Sequence, residues 1–201
     1  MAMTTQSLKT GIARAIARMA SFEQELNEAD ARLGDGDTGT MLANVIRRFA
    51  DVDIQDGGDV GEAFRNLAKA AVAATGSSLG TLLATGLLAV AKQTSGEKEV
   101  AWERLSSLLA TARNAMLARG GSNLGDKTVL DALDAAAEGA AQAKGDLVAE
   151  MAVSAAAEKL ELMRPEQCKI GRARMFAEKS RGMDDPGMLA FVGLAKALRE
   201  R

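Results

Sequence analysis

Apolar residues return every three or four positions in eight stretches of the chain, a spacing that builds one buried face on a helix. Leu8, Ile12, Ile16 and Met19 step this way, as do Leu42, Val45 and Phe49. The pattern continues through Val60, Phe64, Leu67 and Ala71, through Leu82, Leu83, Leu87 and Val90, and through Trp102, Leu105, Leu109 and Met116. Val129, Leu130, Leu133 and Ala137 follow, then Leu147, Met151, Ala155 and Leu160, and last Leu189, Val192 and Leu198. Helix-forming Ala, Leu, Met and Lys dominate, and only Pro165 and Pro186 interrupt them. No segment shows the alternation of a half-buried strand. The spacing predicts an all-α chain, a single domain over residues 1–201 with about eight helices in an up-and-down bundle.

Composition narrows the function. Hydrophobic residues make up 47% of 201, enough for a real core, and the formal charge of −2 gives no electrostatic pull toward nucleic acid. The single cysteine, Cys168, excludes an internal disulfide and a cysteine-built zinc site, and fits a reducing cytoplasm. The chain has no histidine, which removes the Ser-His-Asp triad and every histidine-ligated metal. The start reads as no signal peptide, and no run is long enough to span a bilayer. The expectation is a cytoplasmic protein without a nucleic-acid or membrane partner.

Chemistry concentrates in the breaks. "DIQDGGD", "TSGEKE" and "AKGD" are ordinary polar connections, whereas four others combine glycine with hydroxyl, carboxylate or basic residues. In an up-and-down bundle alternate connections share an end, so such loops can form one rim. "LGDGDTGT", just after Asp30, brings Asp30, Asp35 and Asp37 close, and clustered carboxylates raise one another's pKa unless a cation neutralises them. An all-oxygen set suits Mg²⁺ or Ca²⁺, although the spacing is not that of an EF-hand. The plainer alternative is a solvated acidic turn in which Asp37 or Thr38 caps the next helix. "TGSSLG" sets Gly76, Ser77 and Ser78 before an apolar helix, either as a phosphate seat or as a serine N-cap. "ARGGSNLGDKTVLDAL" reads as a helix ending on Gly120 and another starting near Asp126, the expected N-cap. "GRARMFAEKSRGMDDPG" holds Arg172, Arg174, Lys179, Arg181, Asp184 and Asp185 in an irregular loop suited to binding.

Taken together, Asp30 with "LGDGDTGT", then "GSS", "GDKTVLDAL" and "GRARMFAEKSRG" followed by "DDPG" resemble the nucleotide-binding L subunit of dihydroxyacetone kinase. The motifs occur in that family's order and cover nearly the whole chain. The resemblance implies eight antiparallel helices in a barrel, with ADP or ATP and two Mg²⁺ ions at one end. It implies that Asp30, Asp35 and Asp37 ligate the metals and that Ser77 and Ser78 contact phosphate, with Thr38, Gly39 and Thr40 close by. Gly120 and Val129 would lie against the adenine and its surroundings. Arg172 would contact phosphate, while Asp185, Pro186 and Gly187 close the pocket.

Three positions depart from the family's pattern. Thr38 and Met183 stand where it often has histidine, and Met41 where it has asparagine. "DGDTGT" alone also resembles the kinase domain of bacterial fatty acid kinase. The family's substrate domain holds the keto sugar on a histidine, so the resemblance implies a separate K-type substrate-binding subunit. It leaves two donors open, exchanging ATP or bound ADP rephosphorylated by a phosphotransferase-system protein. It also leaves open which keto sugar or tetrose is the acceptor, and whether the chain forms a homodimer. The competing expectation is a non-catalytic nucleotide-binding or regulatory module of the same fold.

Overall fold

The computed structural model describes residues 2–199, and among these the chain is helical with one small strand pair. The helices are α1 (Thr5–Ala31), α2 (Thr38–Ala50), α3 (Val60–Ala74), α4 (Ser78–Gln93), α5 (Leu105–Gly120), α6 (Val129–Ala141), α7 (Leu147–Met163) and α8 (Pro186–Arg199). Each packs on its neighbours in sequence, and α8 returns to α1, so the ring closes.

Specific contacts join several of these neighbours. Asn27, late in α1, bonds to Thr40 at the start of α2 (3.0 Å), and Arg47 further along α2 reaches back to Glu23 (3.4 Å). Gly86 of α4 lies against Met116 of α5, and Arg113 of α5 pairs with Asp134 of α6. At the closure Arg14 of α1 donates to the carbonyl of Leu198 in α8 (3.1 Å). There the Phe22 ring occupies the space a Cβ would need on Gly193, so glycine is what lets α8 reach α1.

Two large apolar clusters fill the ring. Phe22, Leu26, Leu42, Val45 and Ile46 pack between α1 and α2, while alanines of α6 and α7 pack with Leu160, Met188 and Val192. Leu189 touches both. Side chains as small as alanine bring helix axes close, and interiors packed this way have little spare volume.

The structure departs from the sequence reading at several points. A two-stranded antiparallel sheet pairs β1 (Ala2–Thr4) with β2 (Glu99–Ala101), Met3 opposite Val100. Three residues are too few for alternation to register, and one buried side chain on each strand carries the pairing. In α7 the buried stripe is Val148, Ala152, Ala156 and Leu160, displaced by one residue from the predicted Leu147, Met151 and Ala155. Leu147 and Met151 are 58% and 41% exposed. Helix α6 approaches closely there, since a Cβ on Gly139 would meet the Met151 carbonyl at 2.5 Å and the Ala155 methyl at 2.6 Å. Ile16 and Leu198 also lie on exposed faces.

Direction now places the loops. Because neighbouring helices alternate, the connections before α2, α4, α6 and α8 gather at one end, and these are the four glycine-rich loops. The strand pair and the three plain polar connections sit at the other end. Among the described residues no helix is long and apolar enough to cross a membrane.

Candidate functional site

The acidic cluster is assembled by α1 reaching across to α2. Asp30, in the last turn of α1 and buried, accepts the N–H groups of Asp37 (3.0 Å) and Thr38 (3.1 Å) with one carboxylate oxygen. It thus satisfies donors at the start of α2 that have no partner within the helix. This corrects the expectation that Asp37 or Thr38 caps the helix: Asp37 stands at the N-cap position but makes no side-chain cap bond. The tertiary contact makes a local cap redundant. Gly36 takes the left-handed conformation (φ 79°) that the tight turn requires.

One oxygen from each of Asp30, Asp35 and Asp37 then lies within 4.8 Å of the others. Asp35 and Asp37 are exposed, and Arg172 forms an ion pair with Asp35. The first turn of α2 is held tightly. Gly39 is buried against the Glu23 carbonyl, and the Thr40 hydroxyl and amide bond to Glu23 and Asn27. Of the three predicted phosphate neighbours here, Gly39 and Thr40 are therefore engaged by α1.

At α4, Ser77 is the N-cap and accepts the N–H of Gly80 (3.1 Å), as the plainer reading expected. Ser78, the first helical residue, is exposed. Gly120, the last residue of α5, lies over Leu82 of α4. The left-handed terminator is the next residue, Gly121 (φ 63°), and not Gly120. The start of α6 differs from expectation too. Thr128 caps it and Asp131 completes a capping box, bonding back to the Thr128 N–H (2.8 Å). Asp126 instead accepts the N–H of Asn123 within the loop (2.7 Å). Val129 lies close to Gly187 at the start of α8, so α6 and α8 begin side by side.

The connection from α7 to α8 is the longest of the rim. Its middle, Arg172–Ser180, is a run of 3-10 turns resting through Ala173 and Phe176 on Leu33, Cys168 and Met183. Arg164 grips Asp184 with two bonds of 2.8 and 3.0 Å. Asp185 accepts the N–H of Met188 (2.8 Å), and Pro186 opens α8, where its missing N–H costs nothing. Burial pushes the Asp185 carboxyl up to about 7, against the opposing pull of the Met188 N–H and the Lys127 charge.

Lys127 was not singled out by sequence reasoning. It is buried, and burial pushes its ammonium down, with Cys168, Asp185, Asp184 and Glu166 acting the other way. A lysine in a polar loop gives no signal of such placement.

The assembled rim therefore combines three convergent carboxylates, the exposed amino end of α4 and a guanidinium, with the amino end of α2 already engaged by Asp30 and Asn27. Free N–H groups and the helix dipole favour an anion there, and clustered carboxylates favour a cation beside it.

Known proteins carry the same arrangement of chain. The DAK2 domain family matches residues 32–200. The L-erythrulose 1-kinase of Mycolicibacterium smegmatis is 34% identical over 90% of this chain and 33% of its own length. The PTS-dependent dihydroxyacetone kinase, ADP-binding subunit DhaL, of Lactococcus lactis is 28% identical over 87% of this chain and 86% of its own. The crystal structure of the dihydroxyacetone kinase of C. freundii superposes with a TM-score of 0.74 at 25% identity, over 95% of this chain and 33% of that one. The chain spans about a third of the length of the erythrulose and dihydroxyacetone kinases it first matches. With most of its length matched and the fold shared, this chain belongs to the DAK2 domain family.

Proposed function

We propose that the chain is the nucleotide-binding, phosphoryl-donor subunit of a dihydroxyacetone kinase or of a related short keto-sugar kinase. The observation that carries this reading is the convergence of Asp30, Asp35 and Asp37 within 4.8 Å beside the amino ends of two helices. Three carboxylate oxygens with no nitrogen or sulfur donor fit Mg²⁺, which commonly shares a few carboxylates with nucleotide phosphates. Asp30, Asp35 and Asp37 would hold two such ions, which supply charge neutralisation at the phosphates.

The chain's own groups supply the rest. Ser77, Ser78 and the first N–H groups of α4 bind phosphate, with Thr38 close to the same group and Gly39 and Thr40 fixing its turn. Arg172, paired with Asp35, orients the phosphates. Gly120 and Val129 flank the base, and Asp185, Pro186 and Gly187 close the pocket over it. Phosphoryl transfer depends on positioning and electrostatics more than on covalent chemistry, so such a set is adequate.

The acceptor is held elsewhere in this reading. These residues include no histidine to capture a keto group, so a K-type partner supplies the substrate. The relatives named for erythrulose extend the acceptor class to four-carbon keto sugars, and the lactococcal name makes a phosphotransferase protein a candidate donor beside ATP. Such a kinase would work in the cytoplasm.

The test is calorimetric titration of ADP and ATP with Mg²⁺ and with excess chelator, followed by product formation with and without a K-type subunit. Mg²⁺-dependent binding, with turnover only in the mixture, is expected. Tight binding in chelator, or turnover by this chain alone, overturns the reading. Binding with no turnover in any matched mixture would favour the non-catalytic module.

A further inference from the structure

Lys127 sends its ammonium into a place where lysine is rarely found. The side chain is buried, and its three protons meet three backbone carbonyls: Glu166 at 2.7 Å, Ser180 at 3.0 Å and Arg164 at 3.1 Å. An ammonium has three donors, so this set satisfies it completely. The acceptors flank one segment. Arg164 and Glu166 lie where the chain leaves α7, and Ser180 lies where the 3-10 run ends.

Other bonds close the same base. The N–H of Cys168 donates to the Ser180 hydroxyl (2.9 Å), and the N–H of Gly182 to the Arg164 carbonyl (2.8 Å). Lys169 ties the segment to the α6 loop through its own N–H on Asp126 and its ammonium on Gly125 (2.8 Å). Residues 167–179 thus form a compact strap whose two ends are pinned together, the geometry of an Ω-loop. Arg172, which pairs with Asp35, projects from that strap.

The backbone carries the same message. Among the described residues Lys127 is the one non-glycine with positive φ, at 60°. A long side chain in that sparsely populated region persists where its surroundings over-determine it, and such residues concentrate at functional sites. Glycine would relieve the backbone but could not bridge the carbonyls.

We propose that Lys127 is a positioning residue for the nucleotide site, clamping the base of the 167–179 strap so that Arg172 is held over the Asp30–Asp35–Asp37 cluster. The inference rests on the nucleotide reading above. Lys127 touches neither metal nor phosphate in this role and acts through Arg172.

The test combines a double-mutant cycle with limited proteolysis. Lys127→Met keeps most of the side chain's length and removes the charge and donors. It should weaken Mg²⁺–ADP binding about tenfold, as loss of a group supporting a ligand often does. In an Arg172→Ala background the same change should cost less than about twofold, because coupled residues are not additive. Trypsin should cut after Arg172, Arg174 and Lys179 at least about tenfold faster in Lys127→Met, with the helical circular dichroism retained. If Lys127→Met does not fold, Lys127→Gln, which keeps two donors, carries the same cycle.

Equal losses in both backgrounds would mean general weakening and overturn the positioning role. So would unchanged binding, or an unchanged cleavage rate, in a variant of a chain that does bind nucleotide. A wild-type chain that binds no nucleotide overturns the reading of the site itself, and the positioning role with it.

Discussion

The two ends of the ring use carboxylates among glycines in opposite ways. At the end holding the strand pair, Asp59 caps α3 through the N–H groups of Gly61 (2.7 Å) and Glu62 (3.3 Å), and takes that of Gly96 (2.8 Å) on its other oxygen. Burial works against its charge, but the Gly96, Glu62 and Gly61 N–H groups outweigh it and hold the carboxyl below its ordinary range. Asp56 and Asp53 bond to Lys9 and Gln55, both at 2.7 Å. At the rim Asp30 is engaged in the same fashion, which frees its neighbours from the task. Among the described residues no backbone N–H bonds to the carboxylate of Asp35 or Asp37. What sets Asp59 apart from Asp35 and Asp37 is whether backbone N–H groups take up the carboxylate.

The comparison breaks most readily at Asp37. Asp37→Asn or Asp35→Asn should weaken Mg²⁺–nucleotide binding about 100-fold, as loss of a metal-site group does, with the melting temperature nearly unchanged. Isothermal titration alongside thermal melting reads both, and a variant that melts early but binds normally would make these acids structural.

A second test uses pH at Asp185. Its carboxyl keeps a proton up to about 7 in the folded chain, while the unfolded carboxyl releases it near 3.8. Between those values the folded state binds more protons, so this group's contribution falls as pH rises. Urea midpoints of wild type and Asp185→Asn should coincide below pH 4, and the variant should gain about 2 kcal/mol by pH 8, a figure that allows for partial exposure. A constant offset would remove the burial argument.

At the far end, Asp59→Ala should cost about 1 kcal/mol of stability, the usual worth of an N-cap, and leave nucleotide affinity alone. Chemical denaturation and titration of the same sample would show whether the division between the ends holds. The smallest effect belongs to Asp56, whose pairing with Lys9 is exposed. Asp56→Ala should shift stability by less than about 0.5 kcal/mol, and a larger loss would mean the plain end is more tightly organised than its contacts indicate.

Much of this was legible in the sequence because helices announce themselves over many residues. The eight periodic stretches became eight helices, and the glycine-rich breaks fell at one end because direction alternates. The amino acids of the acidic cluster were readable as well, since three aspartates so close together need a reason. What escaped depends on partners far away in the chain. That Asp30 and not Asp37 caps α2 follows from α1 lying alongside, and the buried stripe on α7, one residue from the expected one, depends on how α6 and α8 pack against it. Thr128 displaced Asp126 as a cap because Asp131 stood three residues on to complete the box. Lys127 was invisible, since the three carbonyls it bonds lie 37 to 53 residues later.

Ring closure has a consequence for how the chain is made. Arg14 meets Leu198 across a separation of 184 residues, and Phe22 finds its cover only at Gly193. While the first seven helices emerge from the ribosome, one apolar flank of α1 faces water, and contacts this remote form slowly. Asp35 and Arg172 are likewise brought together across most of the sequence, and residues 185–187 belong to α8 and the turn before it. A nascent chain would therefore stay open and prone to association until α8 docks. The rim that α8 helps to build would be complete only once that helix docks.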